Sequence, residues 1–383
     1  MLFIYVIIIV VFILITIMFH SYYTLLIKKR YVIPTLIDRF INYQLNIQHI
    51  PGLCLLINES QRTSFIHNYG FANIETKEKM SIHHLFEIGS LGKQFIAFSI
   101  LLLHQENRLS LYDSIDRYFP MMSSLKVGMI TIYQLATHTS GLELLPKHFK
   151  GIYEYSHENF IELVCNSRLG FYPGCGWRYS HTGYILLVFI IEIITQGSYF
   201  DFMKSRIFQP LKMNSVISNH TFETKTLPRI SHGYRQKTIR RSRSHPVGNM
   251  LLSTYIENEE PNSKFMSFAT GGIAMSIIDF AKWDAFLYRP YLIQEHLLEF
   301  MFGSSYLNDG TSHFYGMGFR IDPLSKYNVI YHDGTWRGFT CSILHYQEED
   351  LSIIVFCNCL NAPTTEIAQV VKHIYQKGLV YAD

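Results

Sequence analysis

The strand-forming segments of this sequence sit near its two ends, and the long stretch between them has the character of helix. Near the start, "PGLCLLIN" (51–58) and "RTSFIHNYGFA" (62–72) are β-rich runs around the turn-like "NESQ", which reads as a hairpin. Near the end, "FTCSILHY" and "LSIIVFCN" are strands around "QEED", followed by a closing helix in "TTEIAQVVKHIYQKGL". Ahead of the first strand, "LIDRFINYQLN" (36–46) carries apolar residues at helical spacing: Leu36, Ile37, Phe40, Ile41 and Leu45. From about 110 to 225, segments such as "ENFIELVC", "TGYILLVFIIEIIT" and "YFDFMKSRIF" read as helices broken by loops. One sheet assembled from both chain ends satisfies this order. The expected fold class is therefore α+β: an antiparallel β-sheet flanked by N- and C-terminal helices, with an inserted all-helical lobe at about 110–225. Ligands prefer the cleft that such a junction creates.

The chain has 383 residues, 48% of them hydrophobic and 16% charged, which is enough for a sizeable core. Net charge is +3, so no global field points to nucleic acid as a partner. The one basic concentration, "RQKTIRRSR" (235–243), reads as a solvated loop. Six cysteines show no CxxC or zinc-like spacing. Cys357 and Cys359 alternate within a strand and so share a face, as buried free thiols. There is no His-Glu-x-x-His, so neither a metal nor another cofactor is expected.

The N-terminus is the compositional outlier. "MLFIYVIIIVVFILITIMF" runs nineteen residues without a charge, and the first charged side chain is Lys28. That length spans a hydrocarbon core as one helix. No basic leader or small-residue cleavage site accompanies it, so residues 1–27 read as an uncleaved transmembrane anchor ahead of a domain at 33–383. The expected location is a membrane, single-pass. Its side stays open: Lys28, Lys29, Arg30 and Arg39 would hold the domain in the cytoplasm, whereas sequons at Asn58 and Asn219 would matter only outside it.

Three local patterns carry chemistry. In "EIGSLGKQF", Ser90 and Lys93 stand three apart at a helix start, on one helical face. A serine hydroxyl is a weak nucleophile until a neighbour takes its proton, and a lysine does so once its pKa is depressed. In "RYSHTGY", Tyr179 precedes an apolar helix, and a tyrosine beside a lysine ammonium can shuttle protons. In "YHDGTWRGF", a strand carrying His332 and Gly334 would present its edge to the cleft, with glycine letting a substrate approach. Each pattern alone fits an ordinary structural role.

Their order and company resemble the serine β-lactamase and penicillin-binding-protein superfamily, nearest to the class C β-lactamase-related proteins and esterases. "FEIGSLGKQFIA", "ITIYQLATHTSGL", "IFQPLKMNSV", "TGGIAMSIIDFAKW" and "YGMGFRI" extend the resemblance over about 35–380. The resemblance implies that Ser90 is the acylated nucleophile, Lys93 its proton partner and Tyr179 the general base. It places His332 opposite them, lets Gly334 give clearance, and makes the backbone N–H groups of Ser90 and Thr335 the oxyanion hole. The substrate would be a small molecule or peptide. The adjacent Ser180–His181 and His138–Ser140 are then not nucleophile and base.

One departure bears on substrate. The family usually has Asn two residues after the tyrosine, and here that place holds His181. An imidazole cannot both donate and accept as one amide does. Two readings follow: a membrane-anchored serine hydrolase acting through an acyl-enzyme on esters or small amides and peptides, or a catalytically inactive binding or scaffold protein of the same fold. With His332 in place of the family's lysine, Arg337 is the nearby candidate for a substrate carboxylate.

Overall fold

The computed structural model describes residues 11, 13–19, 32–150, 156–218, 229–239, 252–257, 268, 272–325 and 328–380. In chain order, helix α1 (Ile33–Ile47) leads to strands β1 (Gly52–Glu59), β2 (Arg62–Asn73), β3 (Glu78–Lys79) and β4 (Phe86–Glu87), then helix α2 (Lys93–Gln105). Helices α3 (Ile132–Ala136), α4 (His157–Cys165), α5 (His181–Thr195) and α6 (Tyr199–Met203) follow. Next come β5 (Ile217–Ser218), β6 (Tyr234–Ile239), β7 (Leu252–Glu257), β8 (Ile273–Met275), α7 (Ile277–Tyr288) and α8 (Glu299–Phe302). The chain closes through β9 (Ser305–Tyr306), β10 (Ser312–His313), β11 (Arg320–Ile321), β12 (Val329–Trp336), β13 (Phe339–Tyr346), β14 (Leu351–Cys357) and α9 (Thr364–Val380).

The main sheet has seven antiparallel strands in the order β11-β12-β13-β14-β1-β2-β3. Its two end hairpins meet at the centre, where β1 joins β14 from Leu53↔Cys357 to Glu59↔Leu351. The first hairpin turns on Ser60 and Gln61, both at positive φ (51° and 62°), which matches the twist of the flanking strands. Side chains alternate between two cores, as a period of two requires. Leu53, Leu55, Ile353, Val355 and Cys357 face α1 and α9, meeting Ile37, Ile41, Ile367 and Val371. Cys54, Leu56, Ile343, Ile354 and Phe356 face the other way, toward α2 and α7. There the rings of Phe95 and Trp283 lie 4.7 Å apart. Each such fully buried aliphatic side chain contributes about 1.5–3 kcal/mol relative to exposure. Cys357 and Cys359 do share a core face, and all six cysteines are free thiols.

The middle of the chain is helical, and its apolar helix α5 packs into the same core as α2. Two expectations need correction. The inserted lobe does not stay helical to 225: it returns through β5, which pairs with β8, and β8 pairs in turn with β4 just before Ser90. Nor is the basic run a loop over 235–239, because those residues form β6 against β7, while residues 240–243 lie outside the described residues. Strand pairing supplies backbone partners that the side-chain charges conceal. The proposed anchor falls largely outside the described residues; residues 13–19 are helical and exposed. Among the described residues, no single helix is long and apolar enough to cross a membrane.

Candidate active site

The strand β4 ends next to a 3-10 turn, Gly89–Gly92, that runs directly into α2. Ser90 sits on this turn, half-buried, and Lys93 opens the helix with no exposed surface. Their three-residue spacing brings Lys93 Nζ to 3.1 Å from Ser90 Oγ. The turn is pressed against β12. A Cβ on Gly334 would lie 2.0 Å from the Ile88 carbonyl oxygen and 3.0 Å from Ser90 N. A Cβ on Gly89, whose φ is +54°, would lie 2.7 Å from Thr335 N. Gly334 therefore makes room for the turn that carries Ser90, where the sequence suggested clearance for substrate. The same packing brings the main chain of this turn against the main chain at Gly334 and Thr335.

Tyr179 arrives from the loop before α5. Ser180 caps that helix: its Oγ accepts from the Gly183 N–H (3.1 Å) and donates to the Glu143 carbonyl (2.8 Å). The Ser180 N–H in turn donates to His138 Nδ1 at 3.1 Å. His138 takes a positive φ of 63°, and its ring packs at a tilt 4.3 Å from that of Tyr179 and 4.7 Å from that of Tyr315. Ser180 and His138 thus aim Tyr179. Tyr179 stands beside the Ser90–Lys93 pair, with Lys93 Nζ 5.0 Å from its ring centre. His181 starts α5 with its ring 5.5 Å from that of Tyr179, and its Nδ1 is buried with no hydrogen-bond partner among the described residues.

His332 is buried in β12, 6.3 Å from the Tyr179 ring. The Asp333 carbonyl, 2.6 Å from Nδ1, can only accept, so Nδ1 carries the hydrogen and Nε2 accepts from the Tyr315 hydroxyl at 3.1 Å. Both nitrogens are engaged within the protein. His332 therefore shapes the wall and does not offer a free donor to a ligand.

Burial dominates the electrostatics. It lowers Lys93 to about 7, with Asp333 pulling up and Arg320 pushing down by smaller amounts. It lowers His181 and His332 to about 3, and Lys93 adds to both shifts. His138 falls well below its usual value for the same reason. All three imidazoles are neutral. Burial raises Tyr179 above the ordinary phenol range, against a smaller opposing pull from Ser90. An amine that titrates near neutral pH, a neutral phenol and a hydroxyl thus meet in one largely buried spot.

The structure brings together Ser90, Lys93, Tyr179, His181, His332, Gly334 and Thr335. It places Arg337 elsewhere: its guanidinium pairs with the buried Glu87 at 3.3 Å. The cation at the site is Arg320, 5.6 Å from the Tyr179 ring centre, with its Nε 3.7 Å from Asp333. Sequence reasoning missed it, although it stands in the quoted run "YGMGFRI". Among the described residues, no group of three or more His, Cys, Asp or Glu is arranged to hold a metal ion.

A serine turn beside a sheet edge, with a helical lobe next to it, is the arrangement this fold presents. The chain belongs to the Beta-lactamase family of serine hydrolases, whose family model matches residues 37–374. It is 29% identical to penicillin-binding protein 4* of Bacillus subtilis (strain 168) over 309 residues, 76% of this chain and 64% of that protein. It is 25% identical to protein flp of Staphylococcus aureus (strain N315) over 351 residues, 88% of this chain and 65% of that protein. The chain thus spans just under two thirds of the length of each. Among solved structures, its fold is similar to D-amino acid amidase from Ochrobactrum anthropi SV3 (TM-score 0.74, 21% identity, 90% of this chain and 99% of that one). It is also similar to the octameric penicillin-binding protein homologue from Pyrococcus abyssi (TM-score 0.70, 23% identity, 91% and 77%). These two likenesses concern fold alone.

Proposed function

We propose that this hydrolase works through an acyl-enzyme on Ser90, acting on esters or small amides and peptides. The observation that carries the reading is the 3.1 Å contact between Ser90 Oγ and a Lys93 amine that burial holds near pH 7. Ser90 Oγ attacks the acyl carbonyl and its proton passes to the neutral Lys93 amine. The Tyr179 phenol protonates the leaving group and recovers its proton from the Lys93 ammonium; water then cleaves the acyl-enzyme by the reverse relay. We assign the first proton to Lys93 because burial disfavours the Tyr179 phenolate. The backbone N–H groups of Ser90 and Thr335 serve as the oxyanion donors, each worth about 3 kcal/mol of transition-state stabilisation. Arg320 gives a carboxylate-bearing substrate a cation beside Tyr179. The structural likeness to a D-amino acid amidase is in keeping with an amide substrate for this chain.

A fluorophosphonate probe followed by intact-mass measurement tests the assignment. The expected result is one adduct on the wild type and none on Ser90→Ala. A folded wild type that never acylates would instead support the inactive binding role that His181 suggested. We also read residues 1–27 as a single-pass membrane anchor, on the strength of their uncharged apolar run. Carbonate extraction of cell membranes checks this: the full chain should stay in the pellet, and release into the supernatant refutes it.

A further inference from the structure

A groove of about 1320 Å³ lies against α7, α8 and the end of β13, and it shares no residue with the cluster around Ser90. One wall is aromatic. The rings of Tyr112 and Tyr133 are 6.2 Å apart, and those of Tyr133 and Phe300 are 6.1 Å apart. Tyr112 and Tyr306 expose 67% and 63% of their surfaces there. Glu295 and Glu299 stand four residues apart on the rim, exposed, and neither makes an ion pair among the described residues. The floor is His345, which is 1% exposed and sits 2.9 Å from the fully buried Asp284. Among the described residues, no hydrogen bond uses His345 Nε2, and no Lys or Arg pairs with Asp284. No Lys or Arg lines the groove among them either.

We infer that this groove binds an organic cation, a substituted ammonium, at a site separate from the catalytic one. Two carboxylates stand on its rim, a third, Asp284, lies behind His345, and no Lys or Arg among the described residues lines it, so the lining favours positive charge. Ring faces attract a cation by their quadrupole, and the attraction grows when the cation sheds water. An anion meets repulsion here. An uncharged ligand of the same shape gains only apolar contact. The partly buried rings explain why a substituted ammonium suits the groove better than a small hydrated metal ion.

Calorimetric titration of the full chain tests this with phenyltrimethylammonium, its uncharged isostere tert-butylbenzene, and benzoate. The ammonium should bind saturably, about tenfold or more tighter than the isostere, while benzoate does not bind. The double substitution Glu295→Gln/Glu299→Gln, and separately Tyr112→Ala, should each weaken the ammonium by about tenfold and leave ester hydrolysis unchanged. Ser90→Ala should bind it as the wild type does. The inference falls if natively folded protein shows no saturable binding, or if the isostere binds equally. It falls also if the carboxamide variants bind undiminished, or if the ammonium competes with ester substrate.

Discussion

Two buried polar clusters lie on the same face of the main sheet, and they are built on opposite principles. Around Asp284 the bonding is complete: Asn58 Nδ2 donates to one carboxylate oxygen at 2.8 Å, while Ser352 Oγ and His345 Nδ1 reach the other at 2.7 and 2.9 Å. Around Ser90 it is not. His181 Nδ1, His138 Nε2 and Trp177 Nε1 are buried without hydrogen-bond partners among the described residues. Unpaired buried donors are costly, so proteins keep them where a ligand or a reaction makes use of them. One cluster ties α7 to β1, β13 and β14. The other leaves polar atoms around Ser90 without a partner among the described residues.

That contrast can be broken by experiment. Lys93→Met should lower kcat/KM for a chromogenic ester by about 10³-fold, because the base is gone. It should also raise stability by about 1 kcal/mol, since an amine no longer has to be buried. Kinetics together with urea unfolding check both halves, and a loss of stability would place Lys93 with the structural cluster. Asp284→Ala should do the reverse, costing about 3 kcal/mol in urea unfolding while the folded protein turns over ester normally.

The pH dependence separates the clusters more finely. Lys93 titrates near 7 in the folded chain and near 10.4 unfolded, so its burial penalty is fully present below about pH 7. As pH rises from there toward the unfolded value, the penalty is relieved and stability climbs. The neutral base appears over the same rise, so kcat/KM should increase through about pH 7. A flat rate profile in that range would exclude Lys93 as the base. The smallest effect is one of selectivity: His181→Asn should shift the ratio of amide to ester hydrolysis upward by about threefold to tenfold, the worth of one added hydrogen bond. An unchanged ratio would remove His181 from substrate recognition.

The two end hairpins could be read directly because β-rich apolar runs of seven or eight residues bounded by turn residues are a strong strand signal. Ser90 and Lys93 were readable for a similar reason: their contact is local, three residues along one helix. Tyr179 needed the family's motif order, since eighty-odd residues separate it from the serine it stands beside. The strands β4, β5 and β8 escaped notice because two or three residues carry no period. His138 was excluded as a base and given no other part, because nothing in its neighbours announces a positive φ or a bond to Ser180. Arg320 reaches the site through the pairing of β11 with β12, Arg320↔Tyr331, a register that composition does not encode. Gly334 was assigned to the right place for the wrong neighbour.

That glycine bears on how such a chain can diversify. At Gly334 and Gly89 the nucleophile turn and the sheet edge touch main chain to main chain, with no side chain interposed. Mutation has no side chain to trim or enlarge on that wall, so the main-chain contact beside Ser90 is shielded from drift. Variation in what the enzyme accepts must arise on the opposite side, at positions such as His181 and Arg320, where side chains meet the cleft. A lineage built this way can exchange one acyl substrate for another while the attacking geometry is inherited intact.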